Sequence, residues 1–309
     1  MKINIIGAGP AGSFAAYLLA KKGFDVNLFE EHSQIGQPVH CTGLVTDSFQ
    51  KIIPLKKEFL VNAIKHYRLI SPSQKQVIIN KKEYILDRAA FDQYLVNKAL
   101  NHGVNLHLNY HFVGQQDGFL LFRHKNKTKK IKVDLTIGAD GPLSQVAKAF
   151  HFPNQHRFYF GFQARIKGNF DPATSQVAFG QKIAPGFFAW LVPESQTIAR
   201  LGLATPYPSR FHFQQLIKPY QKQVLSLHAG LIPIYNPKIK TQFKNTYLLG
   251  DAAAQVKATT GGGLIPGLQA AQCLAQAINQ NQSYPDLWKK KLGKNLQKHL
   301  LIRKIINRV

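Results

Sequence analysis

The run Gly7-Ala8-Gly9-Pro10-Ala11-Gly12 follows directly on the first apolar stretch of the chain, Lys2-Ile3-Asn4-Ile5-Ile6. A buried strand feeding G-x-G-x-x-G and then a helix, expected over residues 13–22, is the geometry that holds a dinucleotide pyrophosphate. Gly7 allows the tight turn, Gly9 lets the backbone approach the phosphates, and Gly12 lets the helix pack closely on the strand. Pro10 and Ala11 complete the turn. The helix N-terminus then offers free N–H groups and a partial positive charge to the anion. Residues 24–29 predict the next parallel strand, which ends in Glu30, 18 residues after Gly12. That is close to the spacing of about 20 at which a carboxylate accepts ribose hydroxyls.

The 309 residues, 45% of them hydrophobic, suffice for one large or two modest domains with a real core. No apolar stretch is long enough to span a bilayer. The start of the chain enters a strand and glycine turn, which argues against a signal peptide. The two cysteines, Cys41 and Cys273, do not suggest a disulfide framework, and a cytoplasmic location is expected. Charge is the unusual property: 40 Lys and Arg against 15 Asp and Glu, a formal +25. Such an excess favours polyanions, either nucleic acid or an anionic membrane face. No nucleic-acid reading motif accompanies it, so a specific nucleic-acid partner is not expected.

Strands are expected over residues 63–71 and 76–85, a helix over 87–101, and a strand over 104–108. A hairpin-like region follows at 112–123 and 129–133. Residues 158–167, 176–180, 186–192 and 197–204 read as strands, interrupted downstream by a helix at 211–225 kinked at Pro219. Two further places repeat the theme of a short buried strand entering a glycine turn: Gly138-Ala139-Asp140-Gly141 and Gly250-Asp251-Ala252-Ala253. Gly261, Gly262 and Gly263 then open a helix at Leu264.

One dinucleotide needs only the first of these turns, whereas a flavin dinucleotide is longer and must be held along its whole length. Asp251, just past a buried strand, is placed to accept a ribityl hydroxyl. The helix after Gly263 could direct its amides at the edge of the flavin ring, and three glycines let a planar ring lie against bare backbone. Phe187 and Trp190 are expected to line an apolar tunnel or to form sheet core. In the last stretch, Trp288, Leu292, Leu296, Leu300, Ile305 and Val309 (the last outside the residues described below) recur at roughly helical spacing amid eight Lys or Arg and no acid. Such a helix either packs on its own domain or lies on an anionic membrane.

The motifs together resemble the geranylgeranyl reductase family of FAD enzymes. The matching stretches are Gly7–Gly12, Gly36-Gln37-Pro38-Val39-His40-Cys41-Thr42-Gly43-Leu44-Val45, Asp87-Arg88-Ala89-Ala90-Phe91-Asp92 and Gly138–Gly141. They continue with Pro185-Gly186-Phe187-Phe188-Ala189-Trp190-Leu191-Val192-Pro193 and with Gly250–Ala253 through Gly263. The resemblance implies an α/β architecture: a Rossmann-like FAD/NAD(P)-binding domain of p-hydroxybenzoate hydroxylase type with an inserted antiparallel β-sheet substrate domain. On this reading residues 1–60, 87–154 and 243–282 form the discontinuous FAD-binding domain. Residues 61–86 and 155–242 form the β-rich substrate domain, and 283–309 a short basic helical segment. The resemblance also implies FAD contacts at Ala11, Glu30, Cys41, Thr42, Leu44, Arg88, Asp251, Gly263 and Leu264. Asp140 and Gly141 would support the pyrophosphate and ribityl side, and the adenine-side strand residue falls near Phe112.

The expected activity is saturation of C=C bonds in geranylgeranyl chains of isoprenoid ether lipids, or of geranylgeranyl diphosphate. Hydride addition to an isolated alkene must be completed by a proton at the neighbouring carbon. A thiol is mostly protonated at neutral pH, so Cys41 is expected to donate or relay that proton, or to gate the site. The electron donor is expected to be a ferredoxin, a deazaflavin or NADPH, and the enzyme is expected in the cytoplasm, peripheral on the inner membrane face. The alternatives are an FAD-dependent aromatic hydroxylase or halogenase of the same fold, and a flavin-containing RNA- or membrane-binding module.

Overall fold

A computed structural model describes residues 2–153 and 157–307. In chain order, β1 (Lys2–Ile6), α1 (Pro10–Ala20) and β2 (Asp25–Phe29) come first. β3 (Leu44–Thr46), β4 (Leu60–Ile70), β5 (Gln76–Leu86), α2 (Arg88–Leu100) and β6 (Asn105–His107) follow. A meander of β7 (His111–Gln116), β8 (Phe119–His124) and β9 (Lys127–Lys132) leads to β10 (Leu135–Gly138) and α3 (Gln145–Ala149). The β-rich stretch comprises β11 (Phe158–Lys167), β12 (Thr174–Ala178), β13 (Ala189–Pro193), β14 (Ile198–Thr205), α4 (Arg210–Ile217) and β15 (Val224–Pro233). The chain returns through β16 (Gln242–Phe243) and β17 (Thr246–Leu248) to α5 (Leu264–Gln280), α6 (Tyr284–Trp288) and α7 (Lys294–Ile306).

These elements divide into two compact units. The first comprises Met1–Gln37, Ala89–His156 and Pro233–Ile305; the second comprises Pro38–Arg88, Arg157–Ile232 and Ile306–Val309. The first boundary thus falls at 37/38 rather than at the expected 60/61, because β3 pairs with β5 and so joins the β-rich unit. The terminal helices, expected as a separate segment, belong almost wholly to the first unit.

The first unit holds a six-stranded sheet in the order β16-β17-β10-β1-β2-β6, parallel throughout except at the short edge strand β16. β1 is central, and Ile3, Ile5 and Ile6 on it are buried, as a parallel strand covered on both faces requires. The β7-β8-β9 meander packs a cluster around Phe29, Phe112, Phe122 and Val146.

The second unit is built on an eight-stranded sheet ordered β15-β11-β14-β13-β12-β4-β5-β3. One face, carrying Ala164, Ile166, Ala199, Leu201 and Leu203, packs with Phe213 and Ile217 of α4. Residues directly opposite across a ladder share a face, so Gln163, Gly202 and Trp190 form one row on the other face, with Arg165, Arg200 and Val192 in the next. The helix expected over 211–225 ends at Ile217. A 3-10 turn over Lys218–Gln223 contains Pro219, and Leu225 already lies in β15. Proline, which removes a backbone donor, ends the helix here instead of kinking it.

Candidate functional site

In the first unit the glycine turn is built around carbonyl oxygens. Gly7 has φ +100°, and a Cβ there would fall 2.3 Å from the Ala139 carbonyl oxygen. A Cβ on Gly12 would fall 2.0 Å from the Gly7 oxygen and 3.0 Å from the Ala139 Cβ, so α1 can approach β1 and β10 only because position 12 has no side chain. Gly9 differs. It caps α1 at φ −67° and ψ 178°, which any residue adopts, and a Cβ there would meet no protein atom within 4 Å. Neither backbone conformation nor protein packing requires glycine at that point. A glycine there leaves bare backbone at the N-terminus of α1, where an anion can be held. Pro10 occupies the first helical turn, where its missing N–H costs nothing.

Glu30, at the end of β2, reaches back to this turn. Its Oε2 accepts from the Ala8 N–H at 2.9 Å, and its Oε1 accepts from the His32 N–H at 3.0 Å and lies 2.6 Å from His32 Nδ1. The carboxylate therefore braces the glycine turn as well as standing beside it.

The later turns converge on the same place. Gly250, at φ +65°, lies against Ala11, and Gly267 on α5 has space for a Cβ only 3.5 Å from the Ala11 Cβ. Gly263 caps α5, and a Cβ on it would fall 2.8 Å from Asp251 Oδ1, so the carboxylate sits directly on bare backbone at the helix start. Gly261 holds φ +70°, and Gly262 bridges to Lys257 just ahead of Leu264. Gly7, Gly9, Pro10, Ala11, Gly12, Glu30, Gly250, Asp251 and the Gly261–Leu264 stretch are thus gathered within one unit.

Asp140 has a local task. Its Oδ1 accepts from Ser144 Oγ at 2.6 Å and its Oδ2 from the Val146 N–H at 3.0 Å, tying down the start of α3. Burial raises the proton affinity of this carboxyl despite those hydrogen bonds. Gly141 beside it takes φ +80°. The Phe112 side chain is buried against Phe122 at 5.5 Å and belongs to the core, so any adenine contact there would come from backbone.

The terminal helices support the turn. Tyr284 Oη donates to the Leu248 carbonyl at 3.1 Å and accepts from Gln255 Nε2, and Gln255 Oε1 in turn accepts from the Gly250 N–H at 2.8 Å. Trp288 Nε1 donates to Thr241 Oγ1 at 2.9 Å. Arg303, buried on α7, donates to the Ala258 and Thr259 carbonyls. Trp288, Leu292 and Leu296 are buried as the packing reading of this segment expects, whereas Ile305 is exposed.

Cys41, Thr42, Leu44, Arg88, Phe187 and Trp190 lie in the second unit. The Cys41 Sγ accepts from the Gly43 N–H at 3.3 Å, and Thr42 Oγ1 donates to Gln163 Oε1 at 3.2 Å. Gly43 holds φ +79° with the Leu86 carbonyl 2.2 Å from where its Cβ would be, so the turn after Cys41 is closed against β5. Arg200 Nη1 donates to the Cys41 carbonyl. Its Nε donates to Glu194 Oε1 at 2.6 Å, while Arg165 Nε donates to the other carboxylate oxygen at 2.7 Å. Burial alone would raise the Glu194 proton affinity, but the two arginines outweigh it and hold the carboxyl below its usual range. His228 on β15 is pushed down from the ordinary imidazole value by burial and by the neighbouring Arg200. The segment bearing Cys41 is therefore fixed to the sheet by Arg200 and Gln163, neither of which the motifs single out. The only trace of them in the sequence is alternation, Gln163-Ala164-Arg165 and Arg200-Leu201-Gly202, which marks polar side chains on one sheet face.

Leu44 and Trp190 pack at the edge of the cluster formed by Ile64, Tyr67, Ile85 and Val192. Phe187 is buried and stacks on Phe188 at 4.2 Å and against Tyr159 at 4.5 Å. Gly202 leaves room for the Trp190 ring: a Cβ there would fall 2.6 Å from Trp190 Cζ2 and 2.7 Å from Gln163 Cβ. Trp190 Nε1 and Gln163 Nε2 are buried donors without a protein acceptor. Such donors cost free energy unless a partner arrives from outside the chain.

Residues 5–45 match the NAD(P)-binding Rossmann-like domain family. The chain is 29% identical to digeranylgeranylglycerophospholipid reductase 2 of Methanothermobacter thermautotrophicus, covering 99% of this chain and 87% of that protein. It is also 29% identical to the digeranylgeranylglycerophospholipid reductase of Methanocaldococcus jannaschii, with the same coverage of 99% and 87%. Among solved structures, a geranylgeranyl bacteriochlorophyll reductase-like protein of Thermoplasma acidophilum superposes with a TM-score of 0.87 at 23% identity, covering 100% of this chain and 88% of that one. A flavin-dependent brominase shares the fold more distantly, with a TM-score of 0.74 at 17% identity over 94% and 82% of the two chains.

Proposed function

We propose that this member of the geranylgeranyl reductase family is an FAD-dependent oxidoreductase that saturates C=C bonds in the geranylgeranyl chains of isoprenoid membrane lipids. The observation that carries the reading is likeness along nearly the full chain to relatives named for that activity. The residues present fit the cofactor. Gly9 has no reason within the protein to be glycine, and the N-terminus of the 11-residue α1 faces the same place, which suits a pyrophosphate. Glu30 is at hand for the adenosine ribose, and Asp251 with the N-terminus of α5 for the ribityl chain and ring edge.

Reduced FAD supplies the hydride when bound, renewed by a ferredoxin, a deazaflavin or NADPH. The chain's own part is to position the substrate and to complete the addition. Cys41 Sγ holds the proton that goes to the neighbouring carbon, with the Gly43 amide, Arg200 and Gln163 fixing its segment. Trp190 and the Phe187–Phe188 stack provide apolar surface for an isoprenoid chain, and the buried N–H groups of Trp190 and Gln163 answer a polar acceptor brought by the ligand.

Anaerobic incubation of the chemically reduced flavoprotein with a geranylgeranyl lipid is expected to add hydrogen in pairs, read by mass spectrometry. Purified protein that takes up no FAD would overturn the assignment. Cys41→Ala is expected to keep FAD while losing at least a hundredfold in the rate of chain reduction, at the lower end of what a positioned acid contributes. An unchanged rate would remove Cys41 from the mechanism.

A further inference from the structure

We infer that the β4–β5 ribbon is a membrane-docking element that seats the second unit on an anionic lipid surface. β5 gains a second neighbour, β3, only at Glu83–Ile85, so among the described residues the stretch from Gln76 to Lys82 has β4 alone beside it. Every residue of that stretch is exposed, including three large aliphatic ones: Val77 at 59%, Ile78 at 60% and Ile79 at 40%. Successive residues in a strand point to opposite faces, so Val77 and Ile79 emerge on one side of the ribbon, opposite Leu69 and Tyr67, and Ile78 on the other, opposite Arg68.

Two features select lipid over a protein strand. First, aliphatic side chains stand on both faces of β5 where it forms an open edge of the sheet, its neighbour β4 being paired in turn with β12 from His66 to Ile70. A strand added along the edge satisfies backbone groups but leaves much of both faces in water, whereas an interfacial lipid layer covers both. Second, the charge is complementary to anionic headgroups. Lys75 lies at the tip, with Arg68, Lys65, Lys81 and Lys82 back along the two strands; of the acids nearby, Glu83 is buried and held by Tyr67 and Lys81, and Asp171 lies close to His66 and Arg68. Lysines along an exposed edge also oppose edge-to-edge pairing. Aliphatic anchors ringed by cations are the pattern of interfacial attachment. No helix among the described residues is long and apolar enough to cross a membrane, so attachment by this ribbon would be peripheral.

The inference rests on a substrate that resides in membranes, and it is tested independently of catalysis. Cosedimentation uses vesicles of phosphatidylcholine with 30 mol% phosphatidylglycerol (roughly physiological anionic content), free of geranylgeranyl lipid, beside vesicles of phosphatidylcholine alone. The wild-type flavoprotein is expected to bind the anionic vesicles, and to lose most of that binding in 0.5 M salt, where the Debye length falls to about 4 Å. The triple variant Val77→Thr, Ile78→Thr, Ile79→Thr is expected to bind at least tenfold more weakly, with its thermal unfolding and its turnover of detergent-dispersed substrate unchanged. Paired changes Leu301→Ser and Ile305→Ser on exposed α7 are expected to leave binding intact. Equal binding by the triple variant and wild type would overturn the proposal. So would a wild-type dimer, seen by ultracentrifugation, that the triple variant abolishes without altering vesicle binding. Vesicle binding without lipid reduction would instead sink the proposed activity and leave this element standing.

Discussion

Glu194→Ala is expected to destabilise the second unit by about 3 kcal/mol, the lower end of the range for breaking a buried ion pair. The carboxylate is nearly inaccessible, and each oxygen takes one guanidinium, Arg200 at 2.6 Å and Arg165 at 2.7 Å. Removing it leaves Arg200, whose side chain is only 13% exposed, without its counter-charge, while the half-exposed Arg165 can turn to water and so limits the loss. Urea unfolding followed by tryptophan fluorescence checks this, since Trp190 lies in the second unit and Trp288 in the first. The Trp190 transition should move down by about 1–2 M. Because Arg200 also holds the Cys41 carbonyl, the thiol should be alkylated faster in the variant. The pH dependence has a definite sign. A carboxyl whose folded proton affinity is depressed contributes stability above its ordinary value near 4.5, and that contribution fades as pH falls through the lower folded value. The stability gap between wild type and Glu194→Gln should therefore be full at neutral pH and close on acidification below about pH 4.

Gly12→Ala should abolish cofactor retention and cost about 3 kcal/mol in the first unit, the upper end of typical overpacking penalties. The added Cβ would lie 2.0 Å from a backbone carbonyl oxygen, which cannot rotate away as a side chain can, so α1 must move off β1. Gly9→Ala supplies the contrast. Its Cβ meets open space, so thermal stability should hold, while FAD affinity drops at least tenfold because the methyl group stands where the phosphates approach. Flavin absorbance retained after gel filtration, beside calorimetry of both variants, separates the two effects. Undiminished FAD affinity in Gly9→Ala would move the pyrophosphate away from this turn.

The contrast between these glycines shows what could be read from sequence. The apolar run of β1, the glycines and the acid at the end of β2 are local and periodic, and each obeys a backbone rule that needs no distant partner. β15 was hidden for the opposite reason. Leu225 and Leu227 point outward and are exposed, while Ser226 and His228 turn inward, so the hydrophobic pattern of the strand is inverted and reads as a continuation of α4. The Arg165–Glu194–Arg200 group joins β11, the turn that follows β13, and β14, and nothing local announces such pairing. Arg303, one of the eight cations of the last stretch, is 3% exposed, because two backbone carbonyls of the 258–259 loop supply acceptors that a hydropathy pattern does not contain.

The bracing of the Gly250–Asp251 turn by Tyr284 and Gln255, and of the following 258–259 loop by Arg303, bears on the order of events during synthesis. The glycine turn at residues 7–12 leaves the ribosome early, but Gln255 and Tyr284 emerge roughly 240 and 270 residues later, and Arg303 roughly 290. At 5–20 residues per second that is a wait of roughly 15–60 s. β1, the strand at the middle of the parallel sheet, has β2 available at once, β10 after roughly 130 further residues and β17 after roughly 240. Flavin loading then waits on the segment that carries Tyr284 and Arg303, well after the first glycine turn has been made.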